Sequence, residues 1–268
     1  MTRAAAIASA MNFDDALKRH LPRVWFRFKF LKYKYLKRGE PELWLIRHLV
    51  EPGTTALDVG ASIGIYAAEM ARYAAKVIAF EANPQVAAFA RSVAPRNVEV
   101  VTVALSSQAG RTTLTVPLNA KGRAVTELAS IAPKQAGAGI AIDVETRRLD
   151  DFPLANCSFI KIDVEGHEEA VLDGASALIA AQRPVLMIEL VEAFNPGVVA
   201  RLTERYAALS YRVFFSKGGL KSKGGLKPIA DFDAARDQDE ALMPSRDYVA
   251  NFFFIPEEKC ARVLTRLA

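Results

Sequence analysis

The sequence predicts an α/β fold, in which helices cover both faces of a mostly parallel β-sheet. From Thr54 onward, short apolar runs such as TTALDVG and KVIAFEA alternate with helical stretches. Strands that alternate with helices pair in parallel through right-handed crossovers. Apolar residues fill 51% of the 268 positions and charged residues 24%, which suits a large buried core.

The alternation continues nearly to the end of the chain. Helical patterns occupy residues 41–50, 65–73, 84–94, 167–182 and 196–209. Seven strand patterns begin near residues 54, 76, 98, 158, 185, 211 and 248. A short link between the last two strands would make them antiparallel neighbours.

This pattern predicts one domain over residues 51–268, preceded by a leader and a helix over residues 1–50. An insertion at about 107–145 interrupts the domain, and within it RTTLTVPL is typical of an extra strand. An exact repeat, SKGGLK-SKGGLK, occupies residues 216–227. Two units of six residues are too short to stack as a solenoid, so we interpret the repeat as a flexible basic loop.

The leader is basic and aromatic. Residues 18–38 contain nine of the 35 Lys and Arg residues and no acid, whereas the rest of the chain has 26 basic against 30 acidic residues. Six aromatic residues are interleaved with these cations: Trp25, Phe26, Phe28, Phe30, Tyr33 and Tyr35. The rings would pack on the domain with the cations solvated, or contact an anionic membrane surface. Stacking on nucleic acid is the least favoured interpretation.

Cysteine content and hydropathy bear on location. Cys157 and Cys260 fit no metal or redox spacing and favour a reducing compartment. No apolar run reaches the roughly 18 residues of a membrane-spanning helix. The segment MTRAAAIASAM favours a frayed or helical N-terminus over an export signal. We expect a cytoplasmic protein, with peripheral contact to the inner face of the membrane through the leader as an alternative.

The first candidate site motif is LDVGASIG, where a strand runs into a Gly-rich turn. Gly60 and Gly64 would let a ligand approach the backbone, and a side chain at Gly60 would fill space that the ligand needs. A dinucleotide enzyme has a further glycine between them, where Ala61 and Ser62 stand here. Asp58 would repel a pyrophosphate but suits a ligand with ammonium and sulfonium groups. We predict that these five residues bind a cofactor, although a tight turn without a ligand stays an alternative.

Glu81 ends the second predicted strand, 21 residues after Gly60. A carboxylate at this position can accept hydrogen bonds from both hydroxyls of a ribose. The spacing predicts a nucleoside-containing cofactor held by Glu81 and the adjoining Ala82 and Asn83. NAD and S-adenosylmethionine both carry such a ribose, so both stay open at this point.

The third motif is FIKIDVEGHE, from Phe159. Alternation along a strand places Lys161, Asp163 and Glu165 on one face, and His167 follows at the same spacing. A central parallel strand is normally apolar on both faces, and its carboxyl end is where open α/β sheets bind ligands. We therefore predict Asp163, Glu165 and His167 as catalytic residues, with Asp163 also near the cofactor. Solvated charges beyond the last strand pairing are the alternative.

From about Thr54 to Leu190 the sequence resembles the FkbM family of methyltransferases. The resemblance rests on LDVGASIG, FEANP, the LDD at 149–151, KIDVEGHE, the LDGA at 172–175 and RPVLMIEL, of which KIDVEGHE is the most specific. The family more often has Asn at the position of Ser62 and Pro at that of Ala82. The resemblance implies a Rossmann-like class I methyltransferase fold with a seven-stranded sheet, S-adenosyl-L-methionine as cofactor, and O-methylation, often of sugars in glycans, lipids or natural products.

Methyl transfer to oxygen requires alignment of the two reacting centres and removal of the hydroxyl proton. His167 is the best candidate for the base because its ordinary pKa is near 6.5. Asp163 would orient His167 or bind the cofactor ammonium, and Glu165 and Glu189 rank second. These four side chains could together bind Mg²⁺ or Mn²⁺, but no spacing requires a metal and none is predicted.

Two rival functions stay open on the sequence. The first is an NAD(P)-dependent oxidoreductase, which the missing glycine and Asp58 disfavour. The second is a non-catalytic cofactor-binding module that docks on a membrane or a partner through the basic leader. The expected partner of an active enzyme is a small-molecule or glycan acceptor.

Overall fold

The computed structural model describes residues 13–36, 40–119, 122, 124–132, 139–218, 225–243, 245 and 247–267. Its α-helices are α1 (Phe13–His20), α2 (Pro22–Tyr35), α3 (Ile46–Leu49), α4 (Ile65–Met70), α5 (Pro84–Val93), α6 (Glu168–Asp173), α7 (Ser176–Gln182), α8 (Val198–Ala207), α9 (Ala234–Asp237) and α10 (Glu257–Leu267). Its strands are β1 (Thr55–Val59), β2 (Lys76–Phe80), β3 (Val98–Val101), β4 (Ala104–Leu105), β5 (Gly110–Pro117), β6 (Gly139–Arg147), β7 (Cys157–Ile162), β8 (Val185–Glu189), β9 (Tyr211–Phe215), β10 (Lys227–Pro228) and β11 (Asn251–Pro256).

The main sheet has eight strands in the order β10-β9-β11-β8-β7-β1-β2-β3. Strands β1, β2, β3, β7 and β8 pair in parallel, and β11 lies antiparallel between β8 and β9. The predicted mostly parallel sheet with an antiparallel last strand is confirmed, with the short β10 added at one edge. The link between β9 and β11 is longer than predicted, since it contains β10 and α9.

The strands bury both faces. Leu57, Ile160 and Ile188 contribute to a core on one side of the sheet. Their neighbours in the chain, Ala56, Phe159 and Met187, contribute to a second core on the other side. Successive residues of a strand point to opposite faces, so helices on both sides explain why these strands are apolar throughout.

The predicted insertion builds a second sheet, in the order β4-β6-β5. Strand β5 coincides with the predicted RTTLTVPL strand and pairs antiparallel with β6 along its whole length. Sequence analysis missed β6, although Ile140, Ile142 and Val144 alternate in its sequence. Residues 120, 121, 123 and 133–138 of this insertion lie outside the described residues, as do residues 219–224 of the basic repeat.

Two predicted helices differ from the structure. Residues 167–182 form α6 and α7 instead of one helix, with a break at Gly174. The backbone there packs closely against the loop after β4: a Cβ on Gly174 would lie 2.1 Å from the carbonyl oxygen of Ser106.

Residues 41–50 form a 3₁₀ turn (Pro41–Trp44) followed by α3. The C-terminal helix α10 was not predicted.

The leader folds as α1 and α2 against the domain. Trp25 and Phe26 are buried, and the Trp25 ring packs edge-on against Phe89 of α5 with centroids 5.4 Å apart. Lys34 is also buried, and its Nζ lies 2.7 Å from Oε1 of Glu69 on α4. Lys37 and Arg38 lie outside the described residues. No helix in the described ranges is both long enough and apolar enough to cross a bilayer.

We expect Lys34→Ala to destabilise the protein by about 3 kcal/mol, because the substitution removes the nearer and buried of two cations that pair with the Glu69 carboxylate. The other, Arg72, is exposed and lies 3.6 Å from Oε2 of Glu69. Urea unfolding followed by tryptophan fluorescence measures this change, because Trp25 belongs to α2 and Trp44 donates a hydrogen bond to the carbonyl oxygen of Lys34 on that helix. Lys32→Ala is the matched control: Lys32 is exposed on the same helix, and its loss should change the free energy of unfolding by less than about 0.5 kcal/mol. Equal losses in the two variants would contradict a stabilising role for the pair.

Candidate active site

The loop after β1 is held against the ends of two other strands. The backbone N–H groups of Gly60 and Ala61 donate to the carbonyl oxygen of Phe80, at 2.9 and 3.0 Å. Gly60 has φ +77°, and a Cβ there would lie 1.7 Å from the carbonyl oxygen of Asp163. The expectation that a side chain at Gly60 would invade ligand space is therefore corrected, because the side chain would collide with protein backbone first.

Glu81 connects this loop to the start of α5. One carboxylate oxygen accepts from the N–H of Ser62 at 2.8 Å and the other from the N–H of Asn83 at 2.8 Å. Burial raises the pKa of Glu81, and the two N–H groups oppose the shift. Ser62 has φ +49°, a left-handed conformation that is uncommon for a side chain of this kind and is typical of strained loops at functional sites.

The end of β7 brings charged groups together in a buried setting. Nζ of Lys161 lies 2.9 Å from Oδ2 of Asp163 and 4.5 Å from the ring centre of Tyr66. Burial opposes the charge of Lys161, but the coulombic attraction of Asp163 and Asp58 outweighs it and raises the lysine pKa. The strand ends at Ile162, and Glu165 has φ +56°, so the predicted alternation does not extend beyond the strand.

Three further carboxyl groups surround Lys161. Burial raises the pKa of Glu40 to about 7 and that of Asp58 to about 6, against the attraction of Lys161 in both cases. The negative charge of Asp163, followed by burial, raises the pKa of Glu189 well above its usual range. Within the described part of the chain, Lys161 thus faces more carboxyl groups than one cation can neutralise, so at neutral pH the cluster retains protons or attracts a cationic ligand.

His167 precedes α6, and its Nε2 lies 3.0 Å from Oγ of Ser106, which follows β4. Burial lowers the pKa of His167, so the imidazole is neutral at pH 7 and one ring nitrogen can accept a proton. Orienting this histidine was one of two roles predicted for Asp163, but the structure pairs Asp163 with Lys161. The hydroxyl of Ser106 is instead the hydrogen-bond partner of the imidazole.

These groups surround a cavity of about 310 Å³ at the carboxyl ends of β1, β2 and β7. The structure brings together most of the predicted site residues in its wall, namely Gly60, Ala61, Ser62, Glu81, Ala82, Asp163, Glu165, His167 and Glu189. Three predicted cofactor residues are not in this wall. Asp58 is fully buried beside Lys161, Gly64 precedes α4 with φ +88°, and the side chain of Asn83 caps α5 by accepting from the N–H of Gln85 and Val86.

Sequence analysis missed three contributors to the site. Glu40 and Tyr33 reach the cavity from the leader, and Ser106 reaches His167 from the loop after β4. Glu40 follows the basic segment directly, and Ser106 follows a buried two-residue strand, but neither belongs to a periodic pattern. In the described residues, no group of three or more His, Cys, Asp or Glu side chains is arranged to hold a metal ion.

The fold is Rossmann-like, and the cavity lies at the carboxyl ends of its parallel strands. The model of the FkbM methyltransferase domain matches residues 58–212, which is more than half of the chain. The protein therefore belongs to the FkbM methyltransferase family. This membership removes the oxidoreductase alternative. None of the curated proteins matches the sequence.

A solved structure of the same family name agrees in fold. The structure of methyltransferase FkbM from Methylobacillus flagellatus KT has a TM-score of 0.52 and 16% identity, over 93% of this chain and 60% of that protein. The chain thus spans less than two thirds of that relative. A SAM-dependent methyltransferase from Aquifex aeolicus is also similar, with a TM-score of 0.42 and 15% identity over 85% of this chain and 96% of that one.

Gly60→Ala should destabilise the protein by about 3 kcal/mol or more, since the new Cβ would force the β1 loop away from Asp163. Gly64→Ala is a matched control. Its φ of +88° is also unfavourable for alanine, but its Cβ would meet no atom closer than 3.9 Å, and we expect a loss of only about 1–2 kcal/mol. Thermal and urea unfolding of the two variants compare these values. A smaller loss at Gly60 than at Gly64 would show that the loop yields easily.

Proposed function

We propose that the protein transfers a methyl group from S-adenosylmethionine to a hydroxyl group, most fittingly of a sugar or glycoconjugate. The observation that carries the proposal is the composition of the cavity. One wall presents the carboxylate of Glu81, and another presents a neutral histidine, His167, paired with a hydroxyl at 3.0 Å. The Glu81 carboxylate can accept hydrogen bonds from the hydroxyls of a ribose, and the neutral His167 can remove a proton from an alcohol.

The donor groups in the cavity fit this cofactor. Glu81 is the candidate acceptor for the ribose hydroxyls. The side chains of Val103, Leu105 and Leu114 form an apolar wall against which the adenine ring of the cofactor would pack. Asp163 would supply negative charge for the ammonium and sulfonium groups. Glu189, whose pKa is raised by the charge of Asp163 and by burial, would add negative charge once a bound cation favours its ionised form. When bound, S-adenosylmethionine supplies an electrophilic methyl group on a positively charged sulfur.

The chain's own residues account for the remaining chemistry. We assign the general base to His167 Nε2, the ring atom that contacts Ser106 Oγ. In the tautomer with its proton on Nδ1, Nε2 accepts a hydrogen bond from a hydroxyl, and an acceptor hydroxyl would take the place of Ser106 there. The acceptor oxygen would form its new O–CH₃ bond as the S–CH₃ bond breaks and S-adenosylhomocysteine leaves. The acceptor O–H proton goes to the imidazole, which returns it to solvent. A base with a suitable pKa contributes about 10²- to 10⁴-fold to such a step.

A sugar hydroxyl is the favoured acceptor because the cavity offers further carboxyl groups as hydrogen-bond partners. Glu40 and Glu165 line it. Such groups bind polyols through several directed hydrogen bonds, and those bonds orient one hydroxyl at a time.

Glu81→Gln should weaken the binding of S-adenosylhomocysteine about 10-fold or more, because the amide removes charge and one acceptor from the ribose site. Isothermal titration measures the affinity, and NAD and NADP serve as comparison ligands that should not bind. The control is Glu99→Gln, an exposed carboxylate on β3. Unfolding curves are recorded in parallel, since Glu81 also holds Ser62 and Asn83. An unchanged affinity in Glu81→Gln would place the cofactor elsewhere.

His167→Ala should lower kcat by roughly 10²-fold while the affinity for S-adenosylhomocysteine is retained. Turnover is measured with labelled S-adenosylmethionine and fractionated glycans, glycolipids and small molecules. In the wild type the rate should fall as the pH drops through the lowered pKa of His167, because the protonated ring cannot accept a proton. His48→Ala is the control, since His48 also has a pKa lowered by burial but lies on α3 outside the cavity. Wild-type turnover and an unaltered pH profile in His167→Ala would assign the base to a carboxylate.

A further inference from the structure

Helix α2 has two apolar sides, and the domain covers only one of them. The covered side includes Trp25, Phe26 and the half-buried Tyr33. The other side presents a row of apolar side chains that are each between 43% and 64% exposed, namely Leu21 immediately before the helix, Val24, Phe28, Leu31 and Tyr35. We call these five residues the outer stripe.

The spacing of the outer stripe makes it continuous. Its members are three or four residues apart, which on an α-helix of 3.6 residues per turn places them within about 80° of the circumference. A contiguous apolar surface of this kind is uncommon on a soluble protein and marks a site of interaction. A helix whose only task was to cover the domain would have polar residues there.

The charges beside the stripe identify the partner. By helical geometry, Arg27 borders the stripe on one side and Lys32 on the other, and both are exposed. Residues 18–36 contain seven Lys and Arg residues and no acid. Two copies of this surface would bring like charges together, whereas phospholipid headgroups would neutralise them while the acyl region accepts the apolar side chains.

We propose that the outer stripe docks the protein on an anionic bilayer, with α2 lying in the plane of the headgroups. Phe28 and Leu31 enter the apolar boundary, and Tyr35 is suited to the interfacial zone, where an aromatic ring and a hydroxyl are both accommodated. Arg27 and Lys32 contact lipid phosphates. This binding requires neither the cofactor nor an acceptor.

Docking in this way has a consequence for the reaction. Tyr33 lines the cavity from the side of α2 opposite to the outer stripe, so a docked helix would separate the cavity from the lipid headgroups by about one helix diameter, on the order of 10 Å. A glycan on a lipid carrier is the acceptor class that fits such a position. This consequence rests on the proposed function, but the docking itself does not.

Co-sedimentation of the full chain with phosphatidylcholine vesicles, with and without phosphatidylglycerol, tests the proposal. The wild type should bind the anionic vesicles and should bind them less at high salt, because the screening length shortens. The variant Val24→Ser/Phe28→Ser/Leu31→Ser should lose about 10-fold or more in partitioning. Arg27→Gln/Lys32→Gln should lose about as much at low salt. All five side chains are exposed, and titration with S-adenosylhomocysteine verifies that each variant retains a folded site.

Two control variants match these changes elsewhere on the surface. Leu209→Ser/Met243→Ser removes exposed apolar side chains, and Arg212→Gln/Arg266→Gln removes exposed cations. Both should bind vesicles within about 2-fold of the wild type. Failure of the wild type to bind anionic vesicles at low salt would overturn the proposal, as would equal losses in the test and control variants.

The remaining outcomes assign the stripe to another occupant. A dimer in analytical ultracentrifugation that the serine variant abolishes would assign it to a second copy of the chain. Binding of a single-stranded oligonucleotide in place of vesicles would assign it to nucleic acid. Since cofactor titration is measured on the same samples, loss of vesicle binding with intact S-adenosylhomocysteine binding is distinguishable from failure of the proposed function.

Discussion

The site depends on one close approach, between the backbone of Gly60 and the carbonyl oxygen of Asp163. Strands β1 and β7 are neighbours in the sheet, but their loops could diverge above it. With no Cβ at Gly60, the two loops instead touch, where an added Cβ would lie 1.7 Å from that oxygen. Ser62, two residues after Gly60, hydrogen-bonds to Glu81, and Asp163 pairs with Lys161. The contact between the two loops therefore helps to position both the Glu81 side and the Lys161 side of the cavity.

Electrostatics then give the cavity its character. Lys161 is the buried cation at the end of β7, and Glu40, Asp58, Asp163 and Glu189 all act on its charge or respond to it. Burial and mutual repulsion raise the pKa of three of these carboxyl groups, which costs folding free energy in a protein without a bound cation. A ligand that carries positive charge would relieve that cost. The same arrangement therefore lowers the stability of the folded chain and favours a cationic ligand at this site.

The leader belongs to the catalytic unit in a physical sense. The buried pair of Lys34 and Glu69 and the ring contact of Trp25 with Phe89 attach α2 to the domain, and the chain then continues to Glu40 at the cavity. A segment that accounts for the whole net positive charge of the chain thus contributes to the wall of an acidic site. The opposite side of α2 carries the exposed outer stripe and the basic residues beside it. Attachment to the domain and the proposed contact with a membrane therefore lie on opposite sides of one helix.

The sequence by itself determined the alternation of the main-sheet strands with helices, the turn at Gly60, the placement of Glu81 and Asp163 at strand ends, and that of His167 just before a helix. Periodicity and glycine requirements are local, so they can be read along the chain. Only the tertiary structure decided that His167 contacts Ser106, 61 residues away, that Glu40 enters the cavity, and that Gly174 divides a helix where it meets the same loop. Those contacts join segments that are far apart in the sequence, so no local periodicity predicts them. They form only because the second sheet and the leader pack on the main sheet.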